Sequence, residues 1–220
     1  KTLIWIDHHI TNEGRGTIPI IDPAASSTCE LVWRLVKELG GEIQIETAMC
    51  LYAGLVTDTG RFQYEAVKPD TLRLAAELRE YPFEHTRLVQ ALDEDHGVAH
   101  LRLLAIALGG VRVEPGADLV WTYLTRADLE AADVHPGETD DLIDVVRTAR
   151  EADVAAVIKQ QRDGRFKVSL RSRGGHDVAA AASRFGGGGH RLASGYTSSQ
   201  GLVATVESLK GALGADPSAP

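Results

Sequence analysis

The sequence predicts an α/β protein made of two parts joined by a helix. Three observations carry this. A short apolar run near the start ends in polar residues, helical-period stretches fill the chain through residue 108, and a strand-rich half follows Gly109-Gly110. Leu3-Ile4-Trp5-Ile6 is continuous and apolar, the pattern of a buried parallel strand, and it delivers Asp7-His8-His9 at its carboxyl end. Thr17 to Ile21 is a second β-rich run, closed by Asp22-Pro23. Ser27 and Glu30 have capping-box spacing, and Leu31, Val32, Leu35, Val36 and Leu39 follow at helical period until Gly40-Gly41. Glu46 to Val56 reads as a helix broken by Thr57-Asp58-Thr59-Gly60. Pro69 to Tyr81, with proline in its first turn, and Glu84 to Leu92 read as two more. Asp93 to Leu108 then reads as a longer linker helix.

In the second half, Val111–Val113 and Asp118–Leu124 alternate like strands joined by Pro115-Gly116, and Thr139 to Ala149 is helical. Val154–Gln161 and Arg165–Arg171 form a hairpin pattern around Asp163-Gly164, a dipeptide suited to two-residue turns. A helix over Asp177–Phe185, the run Gly186–Gly189 with His190, a strand near Gly195–Thr197 and a helix over Leu202–Leu213 follow. Residues 215–220 are a Pro/Ser/Ala tail of disordered type. The expected domains are 1–92, a linker helix over 93–110, and 111–214.

Composition narrows the function. With 44% apolar and 25% charged residues over 220 positions the chain is of globular type, and its formal charge of −8 opposes coating a long duplex. The longest apolar stretch is far below the ~20 residues of a membrane span, and no basic-then-apolar leader is visible, so a cytoplasmic setting is expected. Lys1 reads as a cut edge. Cys29 and Cys50 lack C-x-x-C spacing and read as small core residues in a reducing compartment, and Trp5, Trp33 and Trp121 read as core anchors. Charge is uneven: residues 159–191 carry eight basic and two acidic side chains, a net of +6, which leaves −14 on the remainder. That segment is either a solvated face or an anion site.

Four patterns could carry chemistry. Asp7-His8-His9 sets a carboxylate and two imidazoles at a strand end, and strand alternation gives neighbouring side chains different roles, one toward a metal and one toward a substrate. Asp58 ends an apolar helix, where its charge opposes the helix dipole and calls for a cation, either a metal or a Lys or Arg. Gly186–Gly189 with His190, then Ser194-Gly195, signals close backbone approach and can aim N–H groups at a phosphate; Arg171, Ser172 and Arg173 precede it. His96 and His100, four apart beside Asp93-Glu94-Asp95, resemble a metal cluster but read as a solvated helix face.

Ile6-Asp7-His8-His9 with Thr11-Asn12, Ala25-Ser26-Ser27-Thr28-x-Glu30 and Thr57-Asp58-Thr59-Gly60-x-Phe62 together resemble the later motifs of DHH phosphoesterases. Val168 to Ser172, Gly186 to His190 and Ser194-Gly195 resemble the DHH-associated C-terminal domain. The combination is similar to bacterial bifunctional oligoribonuclease/3′-phosphoadenosine-5′-phosphate phosphatases, whose relatives also hydrolyse cyclic dinucleotides. The resemblance implies the C-terminal part of a parallel-sheet DHH domain followed by a smaller α/β domain, and a hydrolase using two Mn2+ ions, with Mg2+ as the alternative. It implies His8 and Asp58 as metal ligands, His9 at the scissile phosphate and Asp7 supporting the site. Arg171, Ser172, Gly188, Gly189 and His190 would hold the terminal nucleotide of a short oligoribonucleotide from the other domain, and a homodimer is implied.

The family's first motifs, an Asp-x-Asp strand end and a further Asp, do not occur in these 220 residues, and Ser194 stands where the family usually has Ala. Two protein ligands cannot hold two six-coordinate ions, so the chain by itself is expected to bind metal poorly and hydrolyse little. The competing readings are a non-catalytic nucleotide-binding module and a RecJ-like single-strand exonuclease.

Overall fold

The computed structural model describes residues 2–9, 16–134 and 139–214. The Thr11-Asn12 motif and the 215–220 tail lie outside them. The chain divides into two compact units, Lys1–Asp95 and His96–Pro220, and it is α/β as predicted.

In the first unit, β1 (Ile4–Asp7) pairs in parallel with β2 (Ile18–Ile21), Ile4 opposite Ile18 and Asp7 opposite Ile21. The parallel pairing follows the sequence; the burial does not. Leu3 and Ile4 are each 51% exposed and Ile18 is 46% exposed, because a sheet of two strands has no inner strand. Helices α1 (Thr28–Glu38), α2 (Ile45–Asp58), α3 (Pro69–Leu78) and α4 (His85–Asp93) complete the unit around a core that includes Leu51, Leu55, Leu74, Leu78 and Phe83. Helix α2 continues through Asp58 rather than breaking at Thr57, and Thr59 caps it.

The capping box at α1 is only half formed. Ser27 Oγ accepts from the Glu30 N–H (3.1 Å), but the Glu30 carboxylate turns to Ser26, accepting from its N–H (2.8 Å) and its hydroxyl (2.6 Å), and pairs with Arg34. The cysteines also depart from the sequence reading. Cys29 is half-buried, with its sulfur so close to Gly54 that a Cβ there would lie 2.2 Å away; glycine is what lets α1 and α2 meet at this point. Cys50 is exposed, because the buried stripe of α2 runs through Ala48, Leu51, Tyr52 and Leu55 and misses it. Of the tryptophans, Trp121 is buried, whereas Trp5 and Trp33 are half-buried.

In the second unit, α5 (Val98–Gly109) begins five residues later than the sequence suggests, since Asp93 closes α4 and Gly97 caps α5. It is packed rather than free: Leu103 and Ala107 are buried with Leu124, Val134 and Leu142. The six-stranded sheet has the order β3-β4-β5-β6-β8-β7. Its strands are β3 (Arg112–Glu114), β4 (Leu119–Leu124), β5 (Val154–Gln160), β6 (Phe166–Ser172), β7 (Gly188–His190) and β8 (Ala193–Ser198). Only β4 and β5 are parallel. Helix α6 (Arg126–Ala132) was not anticipated, although Thr125-x-x-Asp128 is a complete capping box; the helix expected over 139–149 contracts to α7 (Leu142–Val146). Helices α8 (Val178–Ser183) and α9 (Leu202–Gly214) bury Val178, Ala181, Ala182, Val206 and Leu209 against Val154, Ile158, Val168 and Leu170. Between β5 and β6 the Gln161 N–H reaches the Arg165 carbonyl (2.7 Å), closing a turn of three residues, 162–164, rather than two, and Gly164 takes the left-handed conformation (φ +84°).

Candidate functional site

The first group lies where β1 ends. Because regular strand geometry stops at Asp7, alternation no longer separates the next two side chains, and the His8 and His9 rings meet edge to face with centroids 4.9 Å apart. Asp7 Oδ1 accepts from the His8 N–H (2.7 Å) and the His9 N–H (3.2 Å), and lies 2.7 Å from His9 Nδ1. One carboxylate thus shapes the turn and orients the His9 ring. His8 is 7% exposed, and its Nδ1 lies 3.2 Å from the Ala25 carbonyl. A carbonyl only accepts, so Nδ1 carries the proton there and Nε2 is the nitrogen directed at Asp58, 3.6 Å from its Oδ2. Among the described residues no Lys or Arg pairs with Asp58, so the positive partner that its helix-end position calls for is not a fixed side-chain cation.

The backbone around this pair is held firmly. After α2, Gly60, Arg61 and Phe62 all have positive φ (55°, 60° and 62°), a conformation that costs roughly 1–2 kcal/mol for each non-glycine residue. The run is anchored by Arg61 N–H to the Val56 carbonyl (2.8 Å), Tyr64 N–H to the Thr59 carbonyl (3.1 Å) and the Arg61–Asp93 ion pair (3.2 Å). On the other side, the Ser26–Glu30 bonds and Lys68 Nζ on the Ala24 carbonyl (2.7 Å) fix the loop whose Ala25 carbonyl orients His8. Sequence reasoning assigned no role to Ala25 or Lys68, since a backbone carbonyl leaves no composition signal.

The second group is on the sheet of the second unit. Directly opposed residues share a face, so the register sorts the candidates. His190, Ala193, Arg171 and Ala155 form one row; Gly188, Gly195, Ser169 and Val157 form the next; Thr197, Lys167 and Lys159 form a third. The β4–β5 part of this face is covered by α7 and its neighbours through Val120, Ile143, Val146 and Val157. Over β6 and β8 a cavity of about 440 Å³ opens, lined by Asp140, Lys167, Ser169, Arg171, Gly195 and Thr197 among others. Arg171, Gly188 and His190 therefore share the open face. Ser172 and Gly189 point to the other.

Ser172 is 5% exposed, and its hydroxyl donates to Asp153 (2.7 Å) while accepting from the Gly174 N–H (3.0 Å). Asp153 also accepts from the Gly175 and His176 N–H groups (3.0 and 3.1 Å), a knot that ties the ends of β5 and β6. Desolvation would raise the Asp153 pKa, but the bonds from Ser172, Gly175 and His176 outweigh it and hold the carboxyl below its ordinary value. Gly189 (φ +140°) and Gly187 are required by the chain's own packing: a Cβ would meet the Ala193 carbonyl at 2.6 Å and the Gly195 carbonyl at 2.2 Å, respectively. The glycine run does mark close backbone approach, and what approaches is β8.

The rim of the cavity is cationic but braced. Lys159, 3% exposed, donates to Thr139 and to Asp140 (2.5 Å); Lys167 also reaches Asp140 (3.0 Å). Burial lowers the Lys159 pKa, with Asp140 opposing; desolvation raises the pKa of Asp140, but the two lysines more than offset it and hold the carboxyl low. Arg171 Nε and Asp144 Oδ1 are buried without a hydrogen-bond partner among the described residues, 3.6 Å from each other.

The DHHA1 domain family matches residues 119–214, the span of β4 through α9. The bifunctional oligoribonuclease and PAP phosphatase NrnA of Thermus thermophilus is 35% identical over 195 residues, covering 89% of this chain and 58% of the relative. That of Bacillus subtilis is 30% identical over 216 residues, covering 94% of this chain and 67% of the relative. The chain belongs to this DHH–DHHA1 family. An exopolyphosphatase-related protein of Bacteroides fragilis has a crystal structure similar at a TM-score of 0.86 and 28% identity, over 96% of this chain and 62% of that one. The chain thus spans 58–67% of the length of the two curated relatives. The sheet-face group lies within the matched residues 119–214, and the group at the end of β1 precedes them in the chain.

Proposed function

We propose that this chain is part of a manganese-dependent phosphoesterase acting on short oligoribonucleotides and on 3′-phosphoadenosine-5′-phosphate. The observation that carries the reading is the convergence of His8 Nε2 and Asp58 Oδ2 at 3.6 Å. The names of the Thermus and Bacillus relatives supply the substrate class.

The residues fit a divalent ion. A protonated Nδ1 on the Ala25 carbonyl presets the His8 tautomer that ligates through Nε2, and Asp58 supplies a hard oxygen. When bound, two manganese ions supply an activated water and charge neutralisation at the phosphate. The chain's own residues do the rest. His9, oriented by Asp7, meets the scissile phosphate as a directional donor. Arg171 and His190, in one row of the sheet, bind the anionic groups of the terminal nucleotide. Gly188 lets a base or sugar lie against the backbone, since nothing stands within 4 Å of where its Cβ would be. Ser172 and Gly189 act indirectly, through the Asp153 knot and the β7–β8 approach.

Two ligands do not fill two octahedral ions, so the reading draws further carboxylates from outside these 220 residues. The test is manganese-dependent release of AMP from a diadenylate, measured on this chain and on the longer protein of its source. The longer protein should turn over, and His8→Ala or Asp58→Asn should abolish turnover while dinucleotide binding to the sheet face persists. Binding without any cleavage in the longer protein would instead mean a non-catalytic nucleotide-binding module.

A further inference from the structure

A further cluster, within the second unit, shares no residue with either group above. His96 directly precedes Gly97, the cap of α5; His100 is in the first turn of that helix; and Asp141 caps α7. His100 Nε2 is 3.2 Å and His96 Nε2 3.6 Å from the same Asp141 oxygen, and the three ligand atoms lie within 4.8 Å of one another. The imidazoles stack with centroids 4.3 Å apart and planes 14° from parallel, and both Nε2 atoms approach the same Asp141 oxygen. His100 is 3% exposed. Asp141 occupies an N-cap position, yet its carboxylate makes no capping bond to α7 and turns to the imidazoles instead.

We infer that His96, His100 and Asp141 form a binding site for one first-row divalent ion of the zinc class. Two imidazole Nε2 atoms and a carboxylate oxygen lying within 4.8 Å of one another form a donor set that a single cation can bridge. Tetrahedral zinc with ligands at about 2.0–2.1 Å requires ligand atoms roughly 3.3–3.4 Å apart, and the observed 3.2 and 3.6 Å straddle that spacing. Two nitrogens and one oxygen favour zinc over magnesium or calcium, which prefer all-oxygen shells. The remaining position opens toward solvent, past the partly exposed His96 and Asp141 side chains. Such an ion clamps the residues before α5 to the start of α7, the helix whose Asp144 faces Arg171. It is independent of the proposed manganese chemistry, since none of its ligands is His8, Asp58 or a cavity residue.

The test is zinc titration of the chelator-treated chain by calorimetry, paralleled by cobalt(II) absorption spectra. The expected result is one tight equivalent, with a nitrogen/oxygen-type cobalt spectrum, that survives His8→Ala. Because losing a mere supporting partner weakens metal sites by about 10–100-fold, His96→Ala and Asp141→Asn should each weaken this equivalent by at least that much. His96 is only partly buried, so its variant should fold, and circular dichroism checks both. Equal stoichiometry and affinity in the folded His96→Ala variant would overturn the site, as would the absence of any tight equivalent in His8→Ala.

Discussion

Three neighbouring glycines in the second unit should respond differently to the same added methyl group. Gly189 has φ +140°, and a Cβ there would lie 2.6 Å from the Ala193 carbonyl and 2.8 Å from Ser194 Cα. Both contacts are backbone and cannot swing aside. Strain of roughly 1–3 kcal/mol adds to overpacking of roughly 1–3 kcal/mol, so Gly189→Ala should destabilise by about 2–6 kcal/mol. Gly187→Ala, whose Cβ would lie 2.2 Å from the Gly195 carbonyl, should cost about 1–3 kcal/mol from overpacking alone. Gly188→Ala has open space and no positive φ, so its stability should stay within about 0.5 kcal/mol of the parent. That same methyl projects from the face shared with Arg171 and His190. If a nucleotide lies there, it must retreat, and affinity should fall about 10–100-fold, equivalent to about 1.4–2.8 kcal/mol. Urea unfolding reads the stability and fluorescence polarisation of a labelled diadenylate reads the binding. The reasoning fails if Gly188→Ala destabilises as much as Gly189→Ala, or if it is stable and binds the dinucleotide as the parent does.

Other substitutions probe the remaining claims. Arg171→Ala should weaken diadenylate binding roughly 10–150-fold, the worth of a charge-assisted hydrogen bond of about 1.5–3 kcal/mol, without altering zinc or manganese stoichiometry; calorimetry with each ligand checks this. Asp153→Ala strands the Ser172 hydroxyl and two N–H groups and should cost about 3–5 kcal/mol in urea unfolding. Because the folded pKa of Asp153 is depressed, its stabilisation is present above the ordinary carboxyl value and lost as pH falls through the folded one, so the gap between parent and variant should narrow in acid. Tyr196, stacked on Phe185, has a buried hydroxyl without a partner among the described residues, and burial pushes its pKa up to about 12. Tyr196→Phe should be neutral or stabilising by up to about 1–2 kcal/mol at pH 7. A raised folded pKa means stability is kept below the ordinary tyrosine value and lost as pH climbs toward 12, a loss the phenylalanine variant should lack in alkaline melts.

Much of this architecture was legible because local patterns and tertiary packing agree. The D-H-H strand end, the helix start at Ser27, the β5–β6 hairpin and the alternating strands each combine a pattern with a boundary residue. What was not legible has particular causes. Cys50 was misplaced because a helix stripe is set by which neighbour it meets, and α2 turns Ala48, Leu51 and Leu55 inward instead. The acidic run with His96 and His100 read as a solvated helix face, but His100 is buried, Asp93 pairs with Arg61, and the carboxylate that reaches the imidazoles is Asp141, forty-one residues beyond His100.

The candidate substrate-binding residues show the same limit more sharply. Arg171, Ser172, Gly188, Gly189 and His190 form two contiguous runs, and a motif read along the chain treats each run as one surface. A strand does not: its period of two sends Arg171, Gly188 and His190 to the open face and turns Ser172 and Gly189 to the opposite one. A motif can therefore require residues for two reasons at once, ligand contact on one parity and the shape of the sheet on the other. The Gly188 and Gly189 substitutions are adjacent in sequence and opposite in parity, so their stability and binding effects should separate as cleanly as the two faces do.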